Sequence, residues 1–156
     1  MKEYMLKVCI YNAWANDSVI QSLRDQDISD EQVIKLLSHI ILSENLWMAR
    51  LKTEDTSNKN FWKQLNLPEC YRMTHENSKA YSDYIKEKSD IDFERSVTYK
   101  NTKGVEYTNS IEDILTHIFF HSAYHRAQVA KEMRKLDKEP VYTDYIHYIR
   151  GIKSSK

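Results

Sequence analysis

A long segment without glycine or proline, residues 110–136, constrains the fold of this chain more than any other feature. Apolar residues recur in it at alternating steps of three and four, which is the pattern of one buried stripe on an α-helix. These residues are Ile111, Ile114, Ile118, Val129, Met133 and Leu136. Continued from Ile118, the same steps fall on His121 and His125. Two histidines therefore occupy positions where the stripe should be apolar.

Two interpretations of this histidine pair are open. Side chains four residues apart on a helix face the same way, so His121 and His125 can hold one metal ion between them. Alternatively, they are core histidines whose ring nitrogens are satisfied by hydrogen bonds. His117 competes as a ligand from one turn earlier. It lies about 40° from His121 and about 80° from His125 around the helix axis, so we expect it to flank the site and orient a ligand.

A third histidine is predicted to point inward from a different helix. Ser29 or Asp30 is expected to cap this second helix, which continues to about Lys52. His39 lies next to the apolar stripe of this helix, so it is a candidate for the third ligand. Glu44 is about 140° further around the helix and is a poor candidate for the same metal. We expect Glu44 to form a structural ion pair or a cap to a neighbouring helix.

The first helix, predicted from Lys2 to Arg24, contains the other charged candidate. Its apolar stripe is interrupted at Asp17, with Asn16 beside it. Either the stripe is shifted and Asp17 is solvated, or the two polar residues face an internal cavity. Cys9 falls on the apolar face and is expected to be a small core residue, since the chain has no CxxC pair.

The rest of the chain divides into predicted elements that frame the site. Residues 53–66 are polar and are predicted to form a loop in which Phe61 and Trp62 pack like a lid. Alternation around Asn101–Gly104 predicts a hairpin with glycine in its turn. The predicted elements are a third helix from Cys70 to Lys88 after Pro68, the hairpin within Phe93–Tyr107, a fourth helix capped by Asn109 or Ser110 and ending near Lys135–Lys138, and a final helix from Tyr145 to Arg150.

Composition supports one helical domain and excludes several function classes. The chain has 156 residues with only 2 Gly and 2 Pro, which favours helices and a single domain, 1–152, followed by a frayed tail, 153–156. The 23 basic and 23 acidic residues give a formal net charge of +0, which disfavours a nucleic-acid partner. The absence of a membrane-length apolar run or a signal-peptide core leads us to expect no membrane partner and a cytoplasmic location.

Four segments taken in order resemble the DinB-like (DinB/YfiT) metalloprotein family. They are Tyr11–Asn16, His39 to Trp47 with Glu44 between them, His117–Gln128 and Thr143–Ile149. The resemblance covers almost the whole chain. It implies an all-α four-helix bundle with up-down-down-up connections and thus one long crossover. To this bundle we add the small hairpin-like excursion before the fourth helix and the short C-terminal helix.

The resemblance also implies a divalent metal held by three histidines, carried over here to His39, His121 and His125. Ala127 stands where the family usually has glycine, and it preserves the helix and adds only a methyl group. Phe120 stands where asparagine is frequent, so any polar contact made there is lost. Imidazole ligands suit Zn, Ni or Fe, and the sequence does not choose among them.

Three protein ligands leave at least one coordination position open, which is typical of catalytic sites. Together with the resemblance, this predicts a metal-dependent enzyme of the thiol-dependent transferase or hydrolase type, acting on a small molecule with a low-molecular-weight thiol. Asp17 and His117 are the candidates for a general base. A non-catalytic metal-binding or stress-response module is the alternative, and a purely structural bundle is a third. The resemblance and the 11 tyrosines predict a homodimer.

Overall fold

The computed structural model describes residues 1–57 and 59–154. Within them the chain forms five α-helices, one short 3-10 helix and one antiparallel pair of strands, so the predicted helical class is confirmed. The elements are α1 (Lys2–Asp25), α2 (Glu31–Leu51), α3 (Leu67–Lys86), the 3-10 helix (Asp90–Glu94), β1 (Ser96–Lys100), β2 (Glu106–Ser110), α4 (Ile111–Lys135) and α5 (Tyr145–Ser154). In these described ranges, no helix is both long and apolar enough to cross a membrane.

The four long helices bury their apolar stripes against one another. Both α1 and α2 pack against α3 and against α4. Two clusters of buried side chains fill the interior, one around Ile85, Phe93 and Leu115 and the other around Leu37 and Ile40. The extensive contact between α2 and α4 is the feature that positions the site, because the three candidate ligands lie on these two helices.

Side-chain caps set the start of α2 and α3. The Asp30 carboxylate accepts hydrogen bonds from the backbone N–H groups of Gln32 and Val33, each at 3.0 Å. At α3, Asn66 and Glu69 exchange side-chain-to-backbone bonds of 2.8 Å in a capping box. The prediction that α3 begins at Cys70, after Pro68, was therefore wrong. Proline is tolerated in the first helical turn, where its missing N–H is not needed, so the helix begins at Leu67.

Removal of the α2 cap by Asp30→Ala should lower the free energy of unfolding by about 1 kcal/mol, because two backbone donors lose their acceptor. Urea denaturation followed by circular dichroism measures this difference. Glu54→Ala, which removes an exposed carboxylate from the loop after α2, is the control and should change stability by less than about 0.5 kcal/mol. Equal effects of the two substitutions would contradict the capping role.

The predicted hairpin is confirmed, and it leads directly into α4. Strands β1 and β2 pair in an antiparallel register. Ser96 pairs with Ser110 at one end, and Lys100 pairs with Glu106 at the other. The turn contains Gly104 at φ +77°, a left-handed conformation that favours glycine. Ser110 ends β2 and also caps α4, since its hydroxyl accepts from the Asp113 N–H at 3.0 Å.

The final helix α5 docks on α1 through aromatic side chains. Tyr145 lies 5.1 Å from Tyr11, and Tyr148 lies 5.1 Å from Trp14, between ring centroids. The helix continues to Ser154 rather than ending at Arg150 as predicted. Residues 153 and 154 of the expected frayed tail are thus helical, while residues 155 and 156 lie outside the described part of the chain.

Candidate metal centre

Three histidines from two helices meet at the face between α2 and α4. His39, His121 and His125 each offer one ring nitrogen, and these atoms lie within 4.8 Å of one another. The ring centroid of His39 is 5.1 Å from that of His121 and 4.6 Å from that of His125. His39 is buried and the other two are half-buried, so the group has one side toward the interior and one toward solvent. The structure therefore brings together all three predicted ligand side chains.

Hydrogen bonds leave one ring nitrogen free on two of these histidines. The Nδ1 atom of His39 lies 3.1 Å from the carbonyl oxygen of Phe61, and Nδ1 of His125 lies 2.8 Å from Oε1 of Gln128. Because a carbonyl oxygen only accepts, each Nδ1 carries the proton and donates it. In each ring Nε2 then keeps its lone pair. Histidines that bind metals commonly make this second hydrogen bond, which fixes the ring orientation and the tautomer.

The surroundings also favour the neutral form of His121 and His39. Burial lowers the pKa of His121 to about 3, and proximity to His125 and His39 adds to the effect. Burial likewise lowers the pKa of His39, against a smaller opposing effect of the bond to Phe61. Neutral imidazole is the form that binds a metal. The three nitrogen donors and the two fixed tautomers fit a divalent cation.

Aromatic side chains from the loop after α2 cover the group. Trp62 stacks on His39 with ring centroids 3.9 Å apart and an interplanar angle of 14°. The Phe61 ring lies 5.9 Å from His39. Trp62 is 51% exposed, so it contacts the site with one face and solvent with the other. This agrees with the lid-like packing expected of these two residues, and it leaves the centre reachable from outside.

The two candidate bases lie in different surroundings. His117 is exposed beside the group, 5.5 Å from His121 and 4.9 Å from Trp47 between ring centroids. Burial of part of its ring, and then the charge of Arg50, lower its pKa. Asp17 instead lies 3.6 Å from Nε2 of His75 on α3. Neither His117 nor Asp17 belongs to the three-histidine group found in the described residues.

A buried polar network lies behind the metal centre and joins the helices around Glu44. Oε1 of Glu44 accepts hydrogen bonds from Asn12 at 2.7 Å, Asn16 at 2.8 Å and Ser122 at 2.9 Å. The side-chain oxygens of both asparagines accept from Nη1 of Arg126 at 2.7 Å. Glu44 lies outside the three-histidine group, as predicted, but among the described residues it forms neither the expected ion pair nor the expected helix cap and accepts hydrogen bonds from amide and hydroxyl side chains instead.

The network fixes the rotation of α4 about its axis. Ser122 and Arg126 directly follow His121 and His125, so the polar bonds on one face of α4 set the direction of the imidazoles on the next. Sequence reasoning did not assign these roles to Asn12 or Arg126. A signal was available, because Arg126 adjoins a candidate ligand and a buried arginine needs a nearby acceptor.

Gln128 and the Phe61 carbonyl were also missed as partners of the imidazoles. Gln128 lies three residues after His125 on the same helix, and this spacing places the two side chains together. The Phe61 contact comes from the backbone of a loop, and no side-chain pattern marks it.

The hydrogen bond from His125 to Gln128 should be worth about 10- to 100-fold in metal affinity. Gln128→Leu removes the acceptor, so the His125 Nδ1 proton is no longer held in place. We therefore expect zinc affinity to fall by about 10- to 100-fold. Competition with a chromophoric chelator measures the affinity. Gln32→Leu, the same change at an exposed position of α2, is the matched control and should bind zinc as the parent does. An unchanged affinity in Gln128→Leu would show that this bond does not support the ligand.

Comparison with known proteins points to one family. The chain matches the DinB family over residues 1–154. The protein DinB of Bacillus subtilis (strain 168) is 21% identical over 173 aligned positions, which cover 100% of this chain and 99% of that protein. A crystal structure of a DinB-like protein from Bacillus cereus superposes with a TM-score of 0.71 at 15% identity. That superposition covers 90% of this chain and 97% of the other, and it establishes similarity of fold.

Proposed function

The chain belongs to the DinB family, and from this premise we propose that it binds a divalent metal ion through His39, His121 and His125. The observation that carries the proposal is the convergence of three imidazoles, two of which already donate their Nδ1 protons elsewhere. When bound, such an ion supplies Lewis acidity and keeps coordination positions for a water molecule or a thiol. Zn, Ni and Fe all suit the imidazole set.

We further propose that the site is catalytic and that the protein is a thiol-dependent transferase or hydrolase acting on a small molecule. The half-buried, partly aromatic surroundings of the histidines give a substrate access while excluding part of the solvent. His117 is the better supported base. It is exposed next to His121, and its lowered pKa keeps it able to accept a proton at neutral pH. The contact of Asp17 with His75 gives its proposed role as a base no support.

The function is tested in two steps on protein purified without a metal-affinity tag. Elemental analysis should find about one divalent ion per chain, and a chelator should remove it. The loaded protein is then screened with pairs of a low-molecular-weight thiol and an electrophile, and with ester and amide substrates. Turnover that is lost with His117→Ala and retained with His147→Ala would support catalysis. Bound metal without turnover would favour the alternative, a non-catalytic metal-binding or stress-response module.

We also propose that α1 to α4 form a four-helix bundle with up-down-down-up connections. The support is the pairing of helices, in which α1 and α2 each pack against α3 and α4. The connection between α2 and α3, residues 52–66, can span about 50 Å when extended, which is enough to return along a helix of the length of α2.

A homodimer is the proposed assembly, formed through apolar side chains left exposed on α4 and near α5. Phe120 is 72% exposed and Tyr124 is 63% exposed, one turn apart on α4, and Tyr142 is 68% exposed. Light scattering should therefore give about twice the chain mass of 18.6 kDa. A mass of one chain throughout the micromolar range would reject the dimer. Phe120→Asp should shift the mass toward one chain, whereas Ile91→Asp, on the 3-10 helix, should not.

A further inference from the structure

The buried charges of the described residues do not all have partners. Three charged side chains are buried there: Glu44, Arg50 and Arg126. Glu44 and Arg126 both bond the same two asparagines and lie close enough to affect each other. Arg50, only 6% exposed, forms no ion pair with any acidic side chain of the described chain. A buried cation without a counter-charge is unfavourable, so something else should supply the anion.

The protein holds the Arg50 guanidinium in place but provides acceptors for few of its hydrogen-bond donors. The group lies over the Trp47 ring at 4.4 Å and the Tyr99 ring at 5.0 Å from the centroids, so aromatic faces fix its plane. One hydrogen bond joins Nη2 to the carbonyl oxygen of Lys100 at 3.2 Å. Nε is buried and has no hydrogen-bond partner among residues 1–57 and 59–154. A guanidinium has five N–H donors in a planar fork, so most of the capacity to bind an oxyanion remains unused.

Arg50 lines a groove of about 530 Å³, a volume within the usual range for small-molecule sites. The walls come from the end of α2, from loop residues 55–57 and 59–61, and from the hairpin turn. Lys59 and Lys100 add two positive charges, against one negative charge from Asp55. The Asp55 carboxylate is engaged within its own loop, where it accepts from the N–H and the hydroxyl of Ser57 at 2.9 and 3.0 Å. The lining of this groove is therefore net positive around a buried guanidinium, while Glu54 and Glu106 line an adjoining depression that Arg50 also borders.

The groove adjoins the metal centre through one residue. Phe61 lines the groove, and its carbonyl oxygen accepts the hydrogen bond from Nδ1 of His39. On the other side, Trp47 contacts both Arg50 and His117. A molecule in the groove therefore lies one side chain away from the three histidines.

We propose that this groove binds the carboxylate or phosphate group of a small anionic molecule, with Arg50 as the central donor and Lys59 and Lys100 at the rim. The further assignment of this molecule as the substrate rests on the proposed function. In that case the anionic end occupies the groove and the reactive end faces the three histidines. The substrate class is then an acidic small molecule, and neutral analogues bind poorly.

Binding can be tested on metal-free protein, so that the result does not depend on the metal site. The chelator-treated protein, labelled with ¹⁵N, is titrated at constant ionic strength with sodium phosphate, sodium succinate and neutral succinamide. The side-chain Nε–H resonance of Arg50 reports binding of an anion at its guanidinium group. We expect saturable shifts with at least one of the two anions and none with succinamide. Tighter binding of phosphate would identify a phosphoryl group as the ligand chemistry, and tighter binding of succinate a carboxylate.

Variants identify the residues responsible. Arg50→Gln should weaken anion binding at least about tenfold, since charge-assisted hydrogen bonds are lost. Lys100→Gln, at an exposed position, should weaken it about two- to fivefold and keeps the test valid if the Arg50 variant does not fold. Arg72→Gln, on the exposed face of α3, changes the net charge equally and is the control.

The proposal is overturned if neither anion produces saturable shifts up to tens of millimolar, or if Arg72→Gln weakens binding as much as Lys100→Gln. It is also overturned if succinamide binds as well as succinate. Failure of the protein to bind metal would leave these results unchanged, and it would contradict the proposed function alone.

Discussion

His121→Ala is expected to abolish tight metal binding, with an affinity loss of more than about 100-fold. Loss of a bond that only orients a ligand costs about 10- to 100-fold, and removal of the ligand itself should exceed that range. The His121 ring centroid lies 5.1 Å from that of His39 and 4.4 Å from that of His125, so its removal leaves two of the three ligands. Metal content and zinc affinity measure the loss. The melting temperature should also stop responding to chelator, because the bound ion joins α2 to α4.

Two histidines outside the group provide matched controls for this experiment. His75 and His147 are exposed, as predicted, and lie on α3 and α5. His75→Ala and His147→Ala should retain the metal and the response to chelator. If His121→Ala keeps one tightly bound ion and responds to chelator as the parent does, the three-histidine site is wrong.

Glu44→Leu should destabilise the protein by about 3–5 kcal/mol, the usual range for removing one partner from a buried charged network. The leucine fills a similar volume but accepts no hydrogen bonds, so Asn12, Asn16 and Ser122 lose their shared acceptor. For a domain of this size, a loss of that magnitude should lower the melting temperature by about 10 °C. Calorimetry on metal-free protein measures it without a contribution from bound ions.

Glu76→Leu is the matched control, since this carboxylate is exposed on α3 and pairs with the exposed Arg72. We expect a change below about 0.5 kcal/mol. A double variant adds a sharper test. If Glu44 and Arg126 belong to one network, the effects of Glu44→Leu and Arg126→Leu should not add. Simple additivity would mean that the two charges stabilise the fold independently.

Helical periodicity made the ligand set predictable. His121 and His125 replace apolar residues at fixed steps along one stripe, and His39 adjoins the stripe of α2. A residue on such a stripe must face another helix, whatever its chemistry. The pattern does not show which helix it faces. That link came from the family resemblance for His39, and the packing of α2 on α4 supplies its physical reason.

Contacts made by loops and by distant polar side chains were beyond the reach of the same reasoning. The Phe61 carbonyl orients His39 through the backbone path of a loop, which no side-chain period encodes. Asn16 was recognised as a polar residue beside the stripe, but its acceptor and donor come from α2 and α4. The predicted start of α3 was wrong for a local reason. Proline was expected to precede the helix, whereas it belongs to the first helical turn.

The polar bonds to Glu44 also bear on how the chain selects one packing of its helices during folding. Apolar stripes that repeat every three or four residues allow a helix to slide by one turn and still bury apolar surface. Such a slide of α4 would bring Ile118 or Arg126 to the place of Ser122, and it would take the Arg126 guanidinium away from the side-chain oxygens of Asn12 and Asn16. Arg126 and Asn12 are 114 positions apart, so their bond forms only after both ends of the chain have met. The network therefore forms late in folding and stabilises only the packing in which the helices are correctly aligned.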